Sequence, residues 1–113
     1  LNVRPVAWAG GGNVHAGFST GFSSVVAEIE TWLEKHAAGS PLTLAGHSLG
    51  AALATLAMSR WNASRLVTFG CPRVGDGKFA ATIANDNAVR YVGCCDIVCN
   101  VPPAGAWSPR RLR

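Results

Sequence analysis

Charged side chains are scarce in this sequence, since Lys, Arg, Asp and Glu make up 14% of the 113 residues, against about 25% in an average soluble domain. Hydrophobic residues make up 49%, which excludes a disordered chain and predicts one small domain with a buried core. No apolar run is long enough to cross a membrane. The net charge of +4 comes partly from Arg110, Arg111 and Arg113, and no basic face with interleaved aromatic residues indicates a nucleic-acid partner.

The sequence also lacks the C-x-x-C spacing of a structural zinc site, although it contains Cys71, Cys94, Cys95 and Cys99. Neither a metal nor another cofactor is therefore expected. Adjacent residues of a strand point to opposite sides, so Cys94 and Cys95 would make a poor disulfide pair. We interpret the four as reduced thiols in or near the core, which favours a cytoplasmic location, and no signal-peptide pattern opens the sequence.

Apolar periodicity alternates between helical and extended segments along the chain. Residues 1–13 are predicted as loop and 14–18 as a short extended piece. The apolar residues from 22 to 33 recur at helical spacing and predict a helix with that stripe packed in the core. We then expect a strand at 42–45, a helix at 49–60, a strand at 65–69, a helix from Asp76 to Ala84, and a strand at 88–92. Such alternation predicts an α/β fold with right-handed crossovers and a parallel sheet.

The stretch LTLAGHSLGAALATLAMSRW, residues 42–61, places a Gly-x-Ser-x-Gly motif between a short apolar strand and an alanine-rich helix. Ser48 is then at a strand-to-helix corner with a strained backbone, where a Cβ at Gly46 or Gly50 would clash. The Leu49 N–H, at the start of the helix, is the natural donor for a developing oxyanion. The alternative is a glycine-lined turn in which Ser48 caps the helix.

Three of the predicted strands end in segments that carry polar or glycine-rich motifs. In parallel sheets, chemistry collects at the carboxyl ends of the strands. Ser48, the segment 70–75 and Asp96 each follow a strand, so we expect them to converge on one edge of the sheet. Asp76 is a rival for the role of acid, but its position at the start of a helix favours capping.

Four motifs in this order resemble the class 3 lipases, the fungal-lipase-like branch of the α/β-hydrolases. They are V-H-x-G-F at 14–18, G-H-S-L-G at 46–50, T-F-G-x-P-R-V-G at 68–75, and D-I-V at 96–98 with P-P at 102–103. The resemblance covers residues 14–103, preceded by a loop at 1–13 and followed by a tail, 104–113, of no family pattern.

The resemblance implies hydrolysis of acylglycerols or related lipid esters, possible contact with a membrane or lipid interface, and no cofactor. Ser48 matches the family's nucleophile, Asp96 its triad acid, and the Leu49 N–H one oxyanion donor. His15 and His47 match motif histidines that are not the family's catalytic base, and we expect them to be structural. Other activities on the same triad, such as thioesterase or acyltransferase activity, remain open.

Two parts of the family pattern are not found. The triad of this fold runs Ser, Asp, His along the chain, yet the three histidines, His15, His36 and His47, all precede Asp96. Before Val14 nothing matches the family's F-R-G-[ST]-like motif, which supplies the second oxyanion donor. We therefore expect a partial α/β-hydrolase domain truncated at both ends, and an inactive lipase remnant is the alternative to an active enzyme.

Overall fold

Two short strands, two helices and then alternating strands and helices follow one another in a computed structural model that describes residues 4–83 and 85–93. The elements are β1 (Pro5–Ala7), β2 (Asn13–His15), α1 (Ala16–Ser23), α2 (Val26–His36), β3 (Thr43–His47), α3 (Leu49–Trp61), β4 (Arg65–Phe69), α4 (Gly77–Ala80), a 3₁₀ turn (Asn85–Asn87) and β5 (Ala88–Tyr91). This confirms the predicted alternation of helices and strands from α2 to β5.

The larger sheet has the strand order β3-β4-β5, and both of its strand pairs are parallel. In its register Thr43 lies opposite Arg65, and Leu66 lies opposite Ala88. The predicted parallel sheet is thus confirmed. Because the three strands run in the same direction, their carboxyl ends share one edge, where α/β proteins place their sites.

Helix α3 covers one face of this sheet and lies against β3 and β4. Its inner surface consists mainly of small side chains, which allow the helix backbone to approach the strands closely. The fully or almost fully buried residues of α3 are Ala51, Ala52, Ala54, Leu56, Ala57 and Met58. Alternate residues of β4 are buried on the same side, as the two-residue period of a strand requires.

The N-terminal part of the chain contains more regular structure than predicted. β1 pairs with β2 in an antiparallel ladder that sets Pro5 opposite His15, so residues 5–7 are not loop. Extended structure ends at His15, and α1 begins at Ala16 rather than after Phe18. The reason is a cap: His15 Nδ1 accepts a hydrogen bond from the Gly17 N–H at 3.1 Å, which satisfies one of the free donors of the helix start.

The apolar stripe predicted to pack in the core is divided between two helices, and only part of it is buried. Phe22, in α1, is buried, but Val25 just before α2 and Ile29 and Trp32 within it are 37%, 38% and 58% exposed. The prediction of core packing is therefore wrong for most of α2, which has no fully buried residue, although Val26 at its start packs against the core. Helical spacing shows that one face is apolar, but the described elements cover only part of this face.

Glu30 connects α2 to the end of α3. Its carboxylate accepts hydrogen bonds from Arg60 Nε at 3.0 Å, Arg60 Nη2 at 3.1 Å and Trp61 Nε1 at 2.8 Å. These bonds from Arg60 and Trp61 hold the pKa of Glu30 below its ordinary value. Helix α2 is thereby fixed at the C-terminal end of α3.

Strand β3 has only β4 as a partner among the described residues, so within them its other edge is unpaired. The strand has no Lys, Arg, Asp or Glu between Thr43 and His47, so it lacks the charges that commonly protect an edge strand. Such an edge can pair with a strand of another molecule.

We expect a polypeptide of these 113 residues to self-associate through this edge. Thr43→Lys, at an exposed position of β3, should shift the protein toward monomer, because a charge on an edge strand opposes pairing. Light scattering over a concentration series measures the change. The control is Ser40→Lys, which adds the same charge at an exposed position outside the strand. A wild-type chain that stays monomeric, or two variants with equal effects, would contradict the expectation.

Candidate active site

Ser48 occupies a strained backbone conformation between β3 and α3, with φ 53° and ψ −117°. Positive φ is costly for a residue with a Cβ, and such strain is concentrated at functional sites. The backbone is fixed in part by the Ser48 N–H, which donates to the Phe69 carbonyl at 3.0 Å. The side chain makes no capping hydrogen bond and is half-buried, so the alternative of a capping serine is wrong.

The two glycines of the motif differ in what surrounds them. A Cβ at Gly46 would overlap the Gly50 carbonyl and lie 2.6 Å from the Ala51 nitrogen, both of which are backbone atoms of α3. At Gly50 a Cβ would meet no described atom within 4 Å. The prediction of crowding is therefore confirmed for Gly46 and wrong for Gly50, because the Cα hydrogen of Gly50 points away from β3.

The N-terminus of α3 lies directly behind Ser48. The first hydrogen bond of the helix is donated by the Ala52 N–H to the Ser48 carbonyl at 3.2 Å. Within the described part of the chain the Leu49 N–H has no hydrogen-bond acceptor, and this residue is 53% exposed. The geometry thus leaves a donor beside Ser48 at the positive end of a 13-residue helix.

Asp96, the predicted acid, lies outside the described residues, as do Cys94, Cys95 and Cys99. Its convergence with Ser48 therefore stays a prediction. The structure does show β5 parallel to β4, and β4 parallel to β3. The chain consequently leaves β5 at the same sheet edge at which Ser48 ends β3.

The histidines of the described chain lie in three different settings. His15 is 1% exposed, caps α1 and stacks on Phe18 with ring centroids 4.2 Å apart. Burial lowers its pKa and so favours the neutral ring, whose Nδ1 accepts the capping hydrogen bond, so the structural role predicted for it is confirmed. His36 ends α2 and packs on Trp32. His47 is exposed and, because Gly46 faces α3, lies on the opposite sheet face.

The carboxylate of Asp76, the rival acid, accepts hydrogen bonds from backbone and side-chain donors. One carboxylate oxygen accepts from the Phe79 N–H at 2.9 Å, and the other accepts from the Asn13 N–H at 3.1 Å and Asn13 Nδ2 at 3.2 Å. Partial burial would raise its pKa, but these hydrogen bonds outweigh burial and lower it. Asp76 therefore caps α4, as expected, although this helix ends at Ala80 instead of Ala84.

Removing the carboxylate should weaken the fold in a pH-dependent manner. Asp76→Ala should lower the free energy of unfolding by about 1–2 kcal/mol at pH 7, since it removes a cap. The pKa of Asp76 is lower in the folded state, so its stabilisation is present above the unfolded-state value, about 3.9, and is lost as the pH falls through the folded-state pKa. From pH 7 to pH 3 the free energy of unfolding, measured with urea, should fall less for Asp76→Asn than for the wild type. An unchanged pH dependence would contradict the cap, and Asp86→Asn, at an exposed position, is the matched control.

Two further properties concern the described residues only. No group of three or more His, Cys, Asp or Glu side chains in them could hold a metal ion. None of their helices is long and apolar enough to span a membrane. Cys71 is buried, which agrees with its interpretation as a core cysteine.

One contribution to the site was missed by sequence reasoning, namely the Phe69 carbonyl that fixes the Ser48 N–H. No side-chain pattern could have indicated it, because the contact is made by backbone atoms of a neighbouring strand. Only the register of β3 on β4, which sets His47 opposite Phe69, brings the two together.

A strained serine that joins a parallel strand to a helix defines the chain as an α/β-hydrolase. The family model of the class 3 lipases matches residues 2–106. The chain therefore belongs to the class 3 lipase family.

Solved structures of fungal lipases are similar to the chain. Lipase II from Rhizopus niveus matches 92% of it with a TM-score of 0.73 and 28% sequence identity. The triacylglyceride lipase of Rhizomucor miehei matches 93% with a TM-score of 0.70 and 30% identity. A triacylglycerol lipase described as having a serine protease triad as its catalytic centre matches 93% with a TM-score of 0.72 and 29% identity. The chain spans 45%, 46% and 46% of their respective lengths.

Proposed function

We propose that this chain carries the nucleophile and acid of a lipase-type carboxylic ester hydrolase, with Ser48 as nucleophile and Asp96 as acid. The observation on which the proposal chiefly depends is the backbone of Ser48, which is strained at the strand-to-helix corner while its side chain does not cap the helix. Family membership supports the reaction class. A similar solved lipase is described as having a serine triad, which supports the same roles here.

In this mechanism the Ser48 oxygen attacks the ester carbonyl, and its proton passes to an imidazole held by Asp96. The Leu49 N–H donates to the oxyanion of the tetrahedral intermediate. The ester C–O bond then breaks, the alcohol leaves with the proton, and water releases the acyl group from Ser48. An imidazole downstream of Asp96 and a second N–H donor would complete this set.

A lipid ester is the proposed substrate because apolar side chains surround the carboxyl edge of the sheet. Leu49, Phe69, Tyr91 and Val92 are 53%, 46%, 55% and 47% exposed, and the rings of Phe69 and Tyr91 stack 5.2 Å apart. Exposed apolar groups at the sheet edge where β3, β4 and β5 end suit an acyl chain and contact with a lipid interface. The experiment that tests the proposal is nitrophenyl ester hydrolysis by a polypeptide extended through a histidine segment, with Ser48→Ala as the variant that should remove turnover.

A further inference from the structure

A cavity of about 340 Å³ lies between α3, β4, the segment 71–75, α4 and β5. Its volume is in the range of small-molecule sites. Neither Ser48 nor Leu49 is among the described residues that line it. The proposed ester hydrolysis therefore makes no use of this space.

Thr68, on the wall formed by β4, is 3% exposed, and its hydroxyl makes no hydrogen bond with any of the described residues. Leaving a buried hydroxyl without a partner is costly, and most such groups in proteins are satisfied by protein, water or ligand. Thr55, on the wall formed by α3, is different because its hydroxyl donates to the Ala51 carbonyl at 2.8 Å. The cavity thus presents one buried hydroxyl that is available to a ligand.

Two guanidinium groups line the same cavity, and none of the described lining residues is acidic. Arg90 donates to the Cys71 carbonyl at 2.8 Å. Arg73 is half-buried and makes no ion pair within the described residues. Arg73 and the buried hydroxyl of Thr68 line one cavity, and both groups are donors that a carboxylate can accept from.

The remaining walls are mainly apolar and include Leu66, Phe79 and Ile83. An anion without an apolar part would leave these walls unused, and a neutral amphiphile would leave Arg73 unused. We propose that the cavity is a second binding site, separate from the ester-hydrolysis site, for a medium-chain fatty acid. The carboxylate contacts Arg73 and the Thr68 hydroxyl, and the alkyl chain lies against the apolar walls. Ester hydrolysis at Ser48 would itself supply this class of ligand.

Isothermal titration calorimetry of the 113-residue chain with decanoate, below its micelle concentration, tests the site. We expect saturable binding that Arg73→Gln weakens about tenfold or more, since hydrogen bonds to charged groups are strong. Decanol should bind more weakly than decanoate, and acetate should not bind. Arg65→Gln is the matched control, because Arg65 is exposed on the opposite face of the sheet.

Thr68→Val distinguishes the role of the hydroxyl in ligand binding from its role in protein stability. It should weaken decanoate binding about fivefold, which is the effect of losing one hydrogen bond. It should also raise the unfolding temperature of the free protein, because it removes a buried polar group that has no partner. Thr55→Val, which loses its bond to Ala51, should lower that temperature instead. Ser48→Ala should leave binding unchanged, so a failure of the ester-hydrolase proposal and a failure of this one are distinguishable. Absence of saturable binding, or equal effects of Arg73→Gln and Arg65→Gln, would overturn the inference.

Discussion

A polypeptide of these 113 residues should hydrolyse a short-chain nitrophenyl ester no faster than its Ser48→Ala variant. The proposed nucleophile, the proposed acid and one proposed oxyanion donor are all encoded, but no histidine follows Asp96 in these 113 residues. Without a base the Ser48 hydroxyl keeps its proton near neutral pH and is a poor nucleophile. In another serine hydrolase, loss of the triad histidine alone lowers the rate about a millionfold.

None of the three histidines in the chain is placed to act as the missing base. His15 is buried and accepts the hydrogen bond that caps α1. His36 packs against Trp32 at the C-terminal end of α2. His47 precedes Ser48 but lies on the sheet face that α3 does not cover. We therefore expect His15→Ala and His47→Ala to have no effect on the background rate.

A polypeptide extended upstream through an F-R-G-type strand and downstream through a histidine should show turnover that depends on Ser48. The measurement is nitrophenyl ester hydrolysis by four proteins, the short and extended chains with and without Ser48→Ala. Turnover by the short chain that Ser48→Ala abolishes would reveal another base, and His15→Ala and His47→Ala would then identify it. An extended chain that folds but stays inactive would favour the remnant, for which the lipase family describes ancestry alone.

Gly46→Ala should destabilise the protein more than any other change at the serine corner. The new methyl group would overlap the Gly50 carbonyl and lie 2.6 Å from the Ala51 nitrogen. Backbone atoms of a packed helix cannot give way as the end of a side chain can. Since overpacking typically costs about 1–3 kcal/mol and occasionally more, we expect a loss of about 3 kcal/mol, a large part of the stability of a small domain.

Gly50→Ala is the matched control, because it adds the same methyl group two residues beyond Ser48. No described atom lies within 4 Å of the added carbon, and Gly50 is within α3. Alanine in a helix is favoured over glycine by about 1 kcal/mol, so this variant should be as stable as wild type or more stable. Urea unfolding followed by circular dichroism compares the two. If both variants lost the same free energy of unfolding, the close approach of β3 to α3 would not be the reason why glycine is needed at position 46.

The serine corner could be predicted from the sequence because every signal for it is local. A short apolar run, a Gly-x-Ser-x-Gly motif and a series of helix-forming residues lie side by side in residues 42–61. Their order alone requires a sharp turn at Ser48, and the observed φ of 53° is its result. The parallel sheet was predictable for a related reason, since alternating strands and helices can pack in few ways.

Features that depend on distant neighbours could not be predicted in the same way. The period of the apolar residues in α2 indicates an apolar face, but whether Ile29 and Trp32 are covered depends on what else lies beside the helix. The spacing of Gly46 and Gly50 is symmetric about Ser48, yet only Gly46 faces a packed backbone. The cavity near Thr68 likewise arises from the positions of five separate segments, which no local pattern records.

The contacts between β2 and the segment before α4 have a consequence for the time course of folding during protein synthesis. Asn13 bonds to Asp76 across 63 positions of sequence, and the His15 N–H donates to the Val74 carbonyl. The ribosome adds about 5–20 residues per second, so β2 waits seconds for these partners to be made and to emerge. During that interval the hairpin of β1 and β2 remains exposed to chaperones and proteases.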